Sequence, residues 1–190
     1  MRRAALAAGI DLVPVSSFRD FSRQLSIWND KFNGVRPLYD ASGGVIDSKG
    51  LSPRERVAAI LNWSAIPGAS RHHWGTDLDL IDRGATAPGY SVQLNAAEYE
   101  PPGPYASLAE WLAGNASRFG FFRPYRGVAS AVQPEAWHYS FAPVAESARR
   151  ALNLTVLREA LMVAPVQGKD ALLAELEVLH DRYVVRVDWP

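Results

Sequence analysis

The chain has 190 residues, no cysteine, and equal numbers of acidic and basic side chains, 20 of each. This length predicts one domain with a sizeable core, and the balanced charge gives no reason to expect nucleic acid or an anionic membrane as the main partner. The absence of cysteine excludes disulfides, thiol nucleophiles and thiolate zinc sites, so only imidazole and carboxylate groups are left to hold a metal ion.

The N-terminal residues 1–10 contain two arginines and then a short apolar run that ends before Asp11. This run is shorter than the apolar core of a signal peptide, and no small-residue cleavage site follows it. No stretch approaches the roughly 20 apolar residues that span a bilayer. We therefore expect a soluble chain without a membrane span or a signal peptide in the sequence as given.

The first elements alternate between extended and helical patterns. Residues 11–17 predict a short strand, and Pro14 favours an edge position for it. Over residues 18–32 apolar side chains recur at steps of three and four, which predicts an amphipathic helix. The Gly-, Asp- and Ser-rich residues 35–50 predict a loop.

A second helix is predicted from three agreeing start signals. Ser52 is a capping residue, a proline follows it, and a glutamate lies three positions after it. We expect this helix to run to about Ser64. The alternation of polar and apolar residues over 76–81 then predicts a strand, and residues 84–104 predict an exposed loop.

The second half of the chain predicts mostly helices. The expected order is a helix over 107–118, a strand over 137–141, helices over 144–163 and 169–180, and a last strand over 183–189.

These elements lack a regular βαβ alternation and predict an α+β fold. We expect a small, mostly antiparallel sheet packed with helices in a single domain over residues 1–190. The residues that carry chemistry fall within 12–141, and residues 142–190 supply the C-terminal helices and the last strand.

Three of the four histidines lie in two short segments, Ser-Arg-His-His-Trp-Gly-Thr-Asp-Leu-Asp at 70–79 and Gln-Pro-Glu-Ala-Trp-His-Tyr at 133–139. A single histidine or aspartate is more often structural than functional. Two histidines and a carboxylate, however, supply the three protein ligands typical of a catalytic zinc site, with the fourth position open for water.

Glu135 lies three residues before His138 and is a candidate base for a metal-activated water. Residues three apart on a strand face opposite sides. Glu135 must therefore lie in the turn after Pro134, with only His138 in the strand.

The run S-x-H-x-x-G-x-x-x-D at 70–79, followed by E-x-W-H at 135–138, resembles the D-alanyl-D-alanine metallopeptidases, a family related in fold to the Hedgehog signalling domain. Ser16-Ser17-Phe18-Arg19 with Gln24 is similar to that family's S-G-Y-R-S-x-x-x-Q segment. The three blocks occur in the expected order, with both internal spacings kept, and span most of residues 12–141.

This resemblance implies a role for each matching residue. His72, Asp79 and His138 would hold Zn²⁺, and Glu135 would be the catalytic base. Arg19 would stabilise the negative charge that develops on the carbonyl oxygen, a task that suits a fixed guanidinium.

Four further residues are expected to bind substrate: Ser70, Gln24, Trp137 and Asp77. Trp137 fits a packing role equally well. The family usually carries alanine where this chain has Asp77, which shares a strand face with Asp79. Three roles are open for Asp77: support of a ligand histidine, contact with a substrate amino group, or solvent exposure.

Two neighbours of His72 complete the first segment. His73 points elsewhere than His72, so a pocket or supporting role is favoured over metal ligation. Gly75 can adopt the positive φ that eases the turn into the strand.

The resemblance implies a zinc-dependent D-alanyl-D-alanine carboxypeptidase that hydrolyses the terminal bond of peptidoglycan stem peptides with metal-activated water. A D,D-dipeptidase and an L,D-type endopeptidase are alternatives with the same chemistry. A non-catalytic zinc-stabilised cell-wall-binding module is a further alternative, but it would need neither Glu135 nor Arg19. Such a substrate favours the periplasm or cell envelope, and a cytoplasmic role stays open.

Overall fold

The computed structural model describes residues 1–190 and contains two antiparallel sheets surrounded by helices, which confirms the expected α+β class. The strands are β1 (Leu12–Ser16), β2 (Leu38–Tyr39), β3 (Val45–Ile46), β4 (Asp77–Asp82), β5 (Phe121–Phe122) and β6 (His138–Phe141). The helices are α1 (Arg2–Ala7), α2 (Phe21–Phe32), α3 (Pro53–Leu61), α4 (Ala96–Tyr99), α5 (Ala106–Asn115), α6 (Ala142–Ala151), α7 (Leu154–Val163), α8 (Lys169–Ala174) and α9 (Leu176–His180). No helix is both long and apolar enough to cross a bilayer.

The main sheet has the strand order β1-β4-β6-β5. Strand β1 lies at an edge, as predicted. Pro14 has no N–H to donate, and an edge strand can accommodate this because it has a neighbour on one side only. Strand β4 pairs with β1 on one side and β6 on the other, and the register places Ser16 and His138 opposite Asp79. Three neighbouring strands therefore bring polar residues to one place.

Two apolar clusters form the core. One lies among α2, α3 and the C-terminal helices and includes Trp28, Ile60 and Leu157, which are fully buried. The other packs the sheet against α1, α4 and α5 and includes Leu80 and Leu108.

The N-terminal boundaries of α2 and α3 are set by side-chain caps. Helix α2 begins at Phe21 rather than Phe18, because the Asp20 carboxylate accepts a hydrogen bond from a first-turn N–H. Phe18 consequently lies outside the helix and is 67% exposed. The capping box predicted at Ser52 is confirmed, although α3 ends at Leu61 rather than near Ser64.

Two predicted loops contain regular structure. Residues 35–50 form the hairpin of β2 and β3, whose turn is closed by hydrogen bonds to the Asp40 carboxylate. Residues 84–104 contain α4, with its own capping box at Asn95. The predicted helix over 144–163 is two helices, because Asn153 caps the start of α7.

The predicted last strand is wrong. Asp181–Val185 forms a π-helical turn, and the residues after it pair with no strand. Instead, the Asp188 carboxylate accepts hydrogen bonds from the N–H groups of Arg126 and Ala129, at 2.6 and 2.8 Å. The apolar alternation does not predict burial here either, because Val185 is exposed while Val184 and Asp188 are buried.

Candidate active site

Three different elements supply the proposed ligands. His72 lies in the 3-10 turn Arg71–Trp74, Asp79 lies within β4, and His138 begins β6 directly opposite Asp79. Gly75 ends the turn with φ of 70°, the left-handed conformation that the sequence predicted for it. The turn therefore leads directly into β4 and places His72 beside the two strand residues.

The ligand atoms converge at one point. His72 Nε2 lies 3.4 Å from Asp79 Oδ2, and His138 Nδ1 lies 3.2 Å from Asp79 Oδ1. One ligand atom from each residue can be chosen so that all lie within 4.8 Å of one another. All three side chains are buried. This spacing and this donor set fit a metal ion with three protein ligands.

The outer ring nitrogens show which tautomers the histidines adopt as ligands. His72 Nδ1 lies 2.8 Å from the carbonyl oxygen of Ser17, and His138 Nε2 lies 2.8 Å from Asp77 Oδ1. Both partners are acceptors, so each outer nitrogen donates its N–H and the inner nitrogen of a neutral ring presents a lone pair. Buried Asp79 Oδ1 accepts no hydrogen bond from any donor. The three inner atoms are thus all suited to a cation.

The electrostatics favour positive charge at the same point. Burial opposes a charged imidazole, but the neighbouring carboxylates of Asp77, Asp79 and Glu135 raise the pKa of His138 well above its usual value. Burial likewise opposes ionisation of Asp79, yet the neighbouring His138 and His72 hold its pKa below the usual range. Asp79 is therefore available as an anion.

Asp77 binds the outer ring nitrogen of His138, Nε2. It is fully buried, its Oδ1 accepts from Arg71 Nε at 2.8 Å, and its Oδ2 accepts from Thr76 Oγ1 at 2.6 Å and Ser140 Oγ at 2.9 Å. This carboxylate is fully buried and does not line the cavity, so solvent exposure is wrong and no contact places Asp77 against a substrate. Support of a ligand histidine is the role that fits.

Glu135 meets the condition set by the sequence. It follows Pro134 in a loop, and β6 begins only at His138. Glu135 Oε2 lies 3.3 Å from His138 Nδ1, on the inner side of the ring. Its carboxylate therefore faces the same point as the ligand atoms, where a base for an attacking water is needed.

Arg19 is fixed by both its backbone and its side chain. Its N–H donates to the carbonyl of His72 at 3.1 Å, and its own carbonyl lies 2.5 Å from His73 Nδ1. The guanidinium donates to Gln24 Oε1 at 2.8 Å and to Ser16 Oγ at 3.2 Å. Burial lowers the pKa of Arg19, while the nearby anions of the site act in the opposite direction. The turn that carries a ligand thus also positions the guanidinium.

Gln24 and His73 have supporting positions. Gln24 is fully buried and donates from Nε2 to the carbonyl of Ala65 at 2.8 Å, so its contacts favour support of Arg19 over the predicted contact with substrate. His73 Nε2 accepts from the Gly68 N–H at 3.2 Å, which leaves it no nitrogen for a metal. Both side chains hold Arg19 in place.

A cavity of about 810 Å³ opens over the ligand residues, Glu135 and Arg19. Ser70 and Trp137 line it, although they are only 2% and 4% exposed. The Trp137 ring also packs 5.5 Å from that of Tyr99. Ser70 and Trp137 therefore expose only a small part of their surface to the cavity.

Two cations in the cavity wall, Lys31 and Arg36, were missed by the sequence interpretation. Lys31 lies seven residues after Gln24 and so falls on the same face of α2, two turns further on. That spacing is the signal that could have identified it.

Residues 1–144 match the family model described as VanY, D-alanyl-D-alanine carboxypeptidase. The chain belongs to the D-alanyl-D-alanine carboxypeptidase (VanY) family. A Haemophilus influenzae protein described as uncharacterized is 38% identical over 122 residues, which are 63% of this chain and 93% of that protein.

Two solved structures share the fold. VanYB in complex with D-alanine-D-alanine has a TM-score of 0.53 and 24% identity, with 85% of this chain and 76% of that chain covered. A mutant of the vancomycin resistance D,D-pentapeptidase VanY in complex with Zn(II) has a TM-score of 0.51 and 23% identity, with 90% and 76% covered. The family match, together with the His and Asp cluster, identifies this chain as a peptidase of the metallopeptidase type in a peptidoglycan-related family.

Proposed function

We propose that this VanY-family chain is a zinc-dependent D,D-carboxypeptidase that releases D-alanine from peptidoglycan stem peptides ending in D-Ala-D-Ala. The observation that carries the proposal is the convergence of three buried ligands, with Glu135 Oε2 3.3 Å from His138 Nδ1, beneath one cavity. Two imidazoles and one carboxylate with an open fourth position are typical of catalytic zinc. The Zn(II) complex of the related VanY structure supports the choice of metal.

The chain's own residues divide the chemistry among them. A zinc ion bound by His72, Asp79 and His138 would supply a Lewis acid that activates water near neutral pH. Glu135 takes the proton from the attacking water and passes it to the leaving amine. Arg19, already fixed in place, stabilises the negative charge that develops on the scissile carbonyl oxygen.

We further propose that residues 1–190 act as a single peptidase domain. The cavity is lined by Ile66 and Val184 from one apolar cluster and by Trp137 from the other. Both halves of the core therefore shape the same substrate site. In our proposal, Ser70 and Trp137 contact the substrate there. A purely zinc-stabilised binding module would need neither a base nor a positioned guanidinium.

The test is release of D-alanine from a pentapeptide ending in D-Ala-D-Ala. Zinc-loaded protein should release it, while chelated protein and the Glu135→Gln variant should not. Glu135→Gln should still bind one zinc per chain, because Glu135 is not among the three ligands. Lys49→Met is a matched control, since Lys49 is exposed and lies outside the cavity.

The same assay separates the alternatives. A D,D-dipeptidase would hydrolyse free D-Ala-D-Ala in preference to the pentapeptide, and an L,D-type endopeptidase would cut an internal bond of a peptidoglycan fragment. Bound zinc with no cleavage of any of these substrates would contradict the catalytic proposal and favour the binding module.

A further inference from the structure

Lys31 is a cavity-lining ammonium without an anionic partner. It lies in the last turn of α2 and is half-buried, and its one side-chain hydrogen bond is donated to Ser64 Oγ at 2.6 Å. The ion pairs of the chain include no carboxylate bound to Lys31. An ammonium has three N–H donors, so two of them are free for a ligand in the cavity.

The surroundings compensate the charge of Lys31 only in part. Burial lowers its pKa to about 8 and the positive charge of Arg36 acts in the same direction, while the negative charge of Glu135 acts in the opposite direction. The C-terminal end of α2 favours a cation, but a helix end is a weak partner for a charge. Buried charges in proteins are normally paired. A partner for Lys31 is therefore expected from outside the chain.

The cavity already contains a second cation next to Lys31. Arg36 lines the same wall, and its Nε binds Asp30 at 3.2 Å, so part of its guanidinium is occupied. Asp30 is not a cavity residue. The cavity lining therefore contains Lys31 and Arg36 as positive groups beyond those that surround the ligand residues.

The helix places Lys31 within reach of a bound peptide. Lys31 is two turns beyond Gln24, which corresponds to a rise of about 10 Å along α2. Gln24 holds Arg19, the group we place at the scissile carbonyl. An extended peptide advances about 3.3–3.6 Å per residue, so about 10 Å along α2 corresponds to about three peptide residues. The lysine side chain can shorten this distance further.

We infer that Lys31, with Arg36 beside it, forms a subsite for a carboxylate of the peptide substrate. The inference rests on the proposed peptidase function and deepens it, because it makes an acidic group near the cut a requirement for tight binding. Two carboxylates can fill the subsite: the C-terminal carboxylate of the peptide, or a carboxylate carried by a residue just before the cut.

The test is a set of four pentapeptides, with a free or amidated C-terminus and with an acidic or a neutral side chain before the cut. Wild type, Lys31→Met, Lys31→Arg and the control Lys49→Met are compared by kcat and KM on each peptide. We expect Lys31→Met to raise KM at least tenfold on the peptides that carry the recognised carboxylate, with kcat changed less than threefold. Lys31→Arg should retain most of the affinity.

The four peptides identify the source of the carboxylate. If amidation of the C-terminus removes the difference between wild type and Lys31→Met, the terminal carboxylate fills the subsite. If the neutral side chain removes it, the upstream carboxylate does. Equal KM for wild type and Lys31→Met on all four peptides would overturn the inference. So would a KM that Lys31→Met raises by the same factor on all four.

A binding measurement separates this inference from the proposed function. Calorimetric titration of the four peptides into zinc-loaded Glu135→Gln, with and without Lys31→Met, needs no catalysis. Carboxylate-dependent binding that Lys31→Met weakens at least tenfold supports the subsite even if wild type releases no D-alanine. Binding that ignores both the carboxylate and Lys31 overturns the subsite even if wild type is an active carboxypeptidase.

Discussion

The two ligand histidines present different ring nitrogens to the candidate metal site, Nε2 from His72 and Nδ1 from His138. The difference follows from the group behind each ring, a backbone carbonyl for His72 and the carboxylate of Asp77 for His138. A carboxylate is the stronger acceptor, so it makes His138 the more basic ligand. Arg71 compensates the charge of Asp77 with a buried ion pair at 2.8 Å.

We expect Asp77→Asn to weaken zinc binding by about 10- to 100-fold, because groups that orient a ligand histidine typically contribute this much. The measurement is competition for zinc between the protein and a chromophoric chelator. Asp82→Asn is the matched control: Asp82 lies on the same strand, is buried, and accepts only from backbone N–H groups. Equal zinc affinity in Asp77→Asn and wild type would show that His138 needs no support from Asp77.

Arg19 should affect turnover without affecting the metal. Its guanidinium is held by Gln24 and Ser16 before substrate binds, and removing one preorganised donor to a developing oxyanion costs about 10²–10³ in kcat. We therefore expect a loss of that size in Arg19→Met, with unchanged zinc affinity. Arg23→Met, on the exposed side of α2, should retain wild-type kcat. A change in KM alone would place Arg19 in substrate binding instead.

At the scale of elements, local signals predicted what local interactions determine. The capping box at Ser52 and the strands that carry Asp79 and His138 were found because each depends on residues near in sequence. The C-terminal tail was not found, because it depends on contacts between distant residues, such as Asp188 with Arg126. The hairpin within 35–50 is local, but its strands are only two residues long and show no apolar alternation over a length that would predict them.

The same distinction applies to the site. The three expected metal ligands and Glu135 were predicted from the resemblance to the metallopeptidase motifs, and the structure brings these residues together. The supporting position of Gln24 could not be predicted, because it depends on the carbonyl of Ala65, a residue far along the chain. Lys31, in contrast, could have been found from its seven-residue spacing to Gln24 on α2, although only the folded chain shows that it lines the cavity.

The C-terminal tail, which contains Asp188, should stabilise the loop around residues 126–129 that precedes Glu135. In Asp188→Ala, the N–H groups of Arg126 and Ala129 lose the buried carboxylate that accepts from them, and a hydrogen bond to a charged group contributes about 1.5–3 kcal/mol. We expect the free energy of unfolding, measured with urea, to fall by about 1.5–3 kcal/mol. Asp181→Ala removes an exposed ion pair to Arg186 and should change it by less than about 1 kcal/mol. Similar losses in both variants would contradict this role of the tail.

At the scale of the whole molecule, the candidate metal site joins parts of the chain that are otherwise separate. Asp79 and His138 belong to the main sheet, whereas His72 belongs to a turn that holds the loop between β1 and α2. The two apolar clusters meet at the cavity above these residues. Binding an ion at this point links the sheet to the helical half, so metal binding and global unfolding should be coupled.

Zinc should therefore stabilise the protein against unfolding. At a free zinc concentration 100-fold above Kd, the free energy of unfolding should rise by about 2.7 kcal/mol over that of the metal-free protein. Urea titrations with and without zinc measure this increment, which His72→Ala should largely lose because only two ligands remain. Magnesium prefers six oxygen ligands in octahedral geometry and should give no comparable increment. A zinc increment that persists unchanged in His72→Ala would place the bound ion away from these three residues, since an ion held by this site must lose affinity when one ligand is removed.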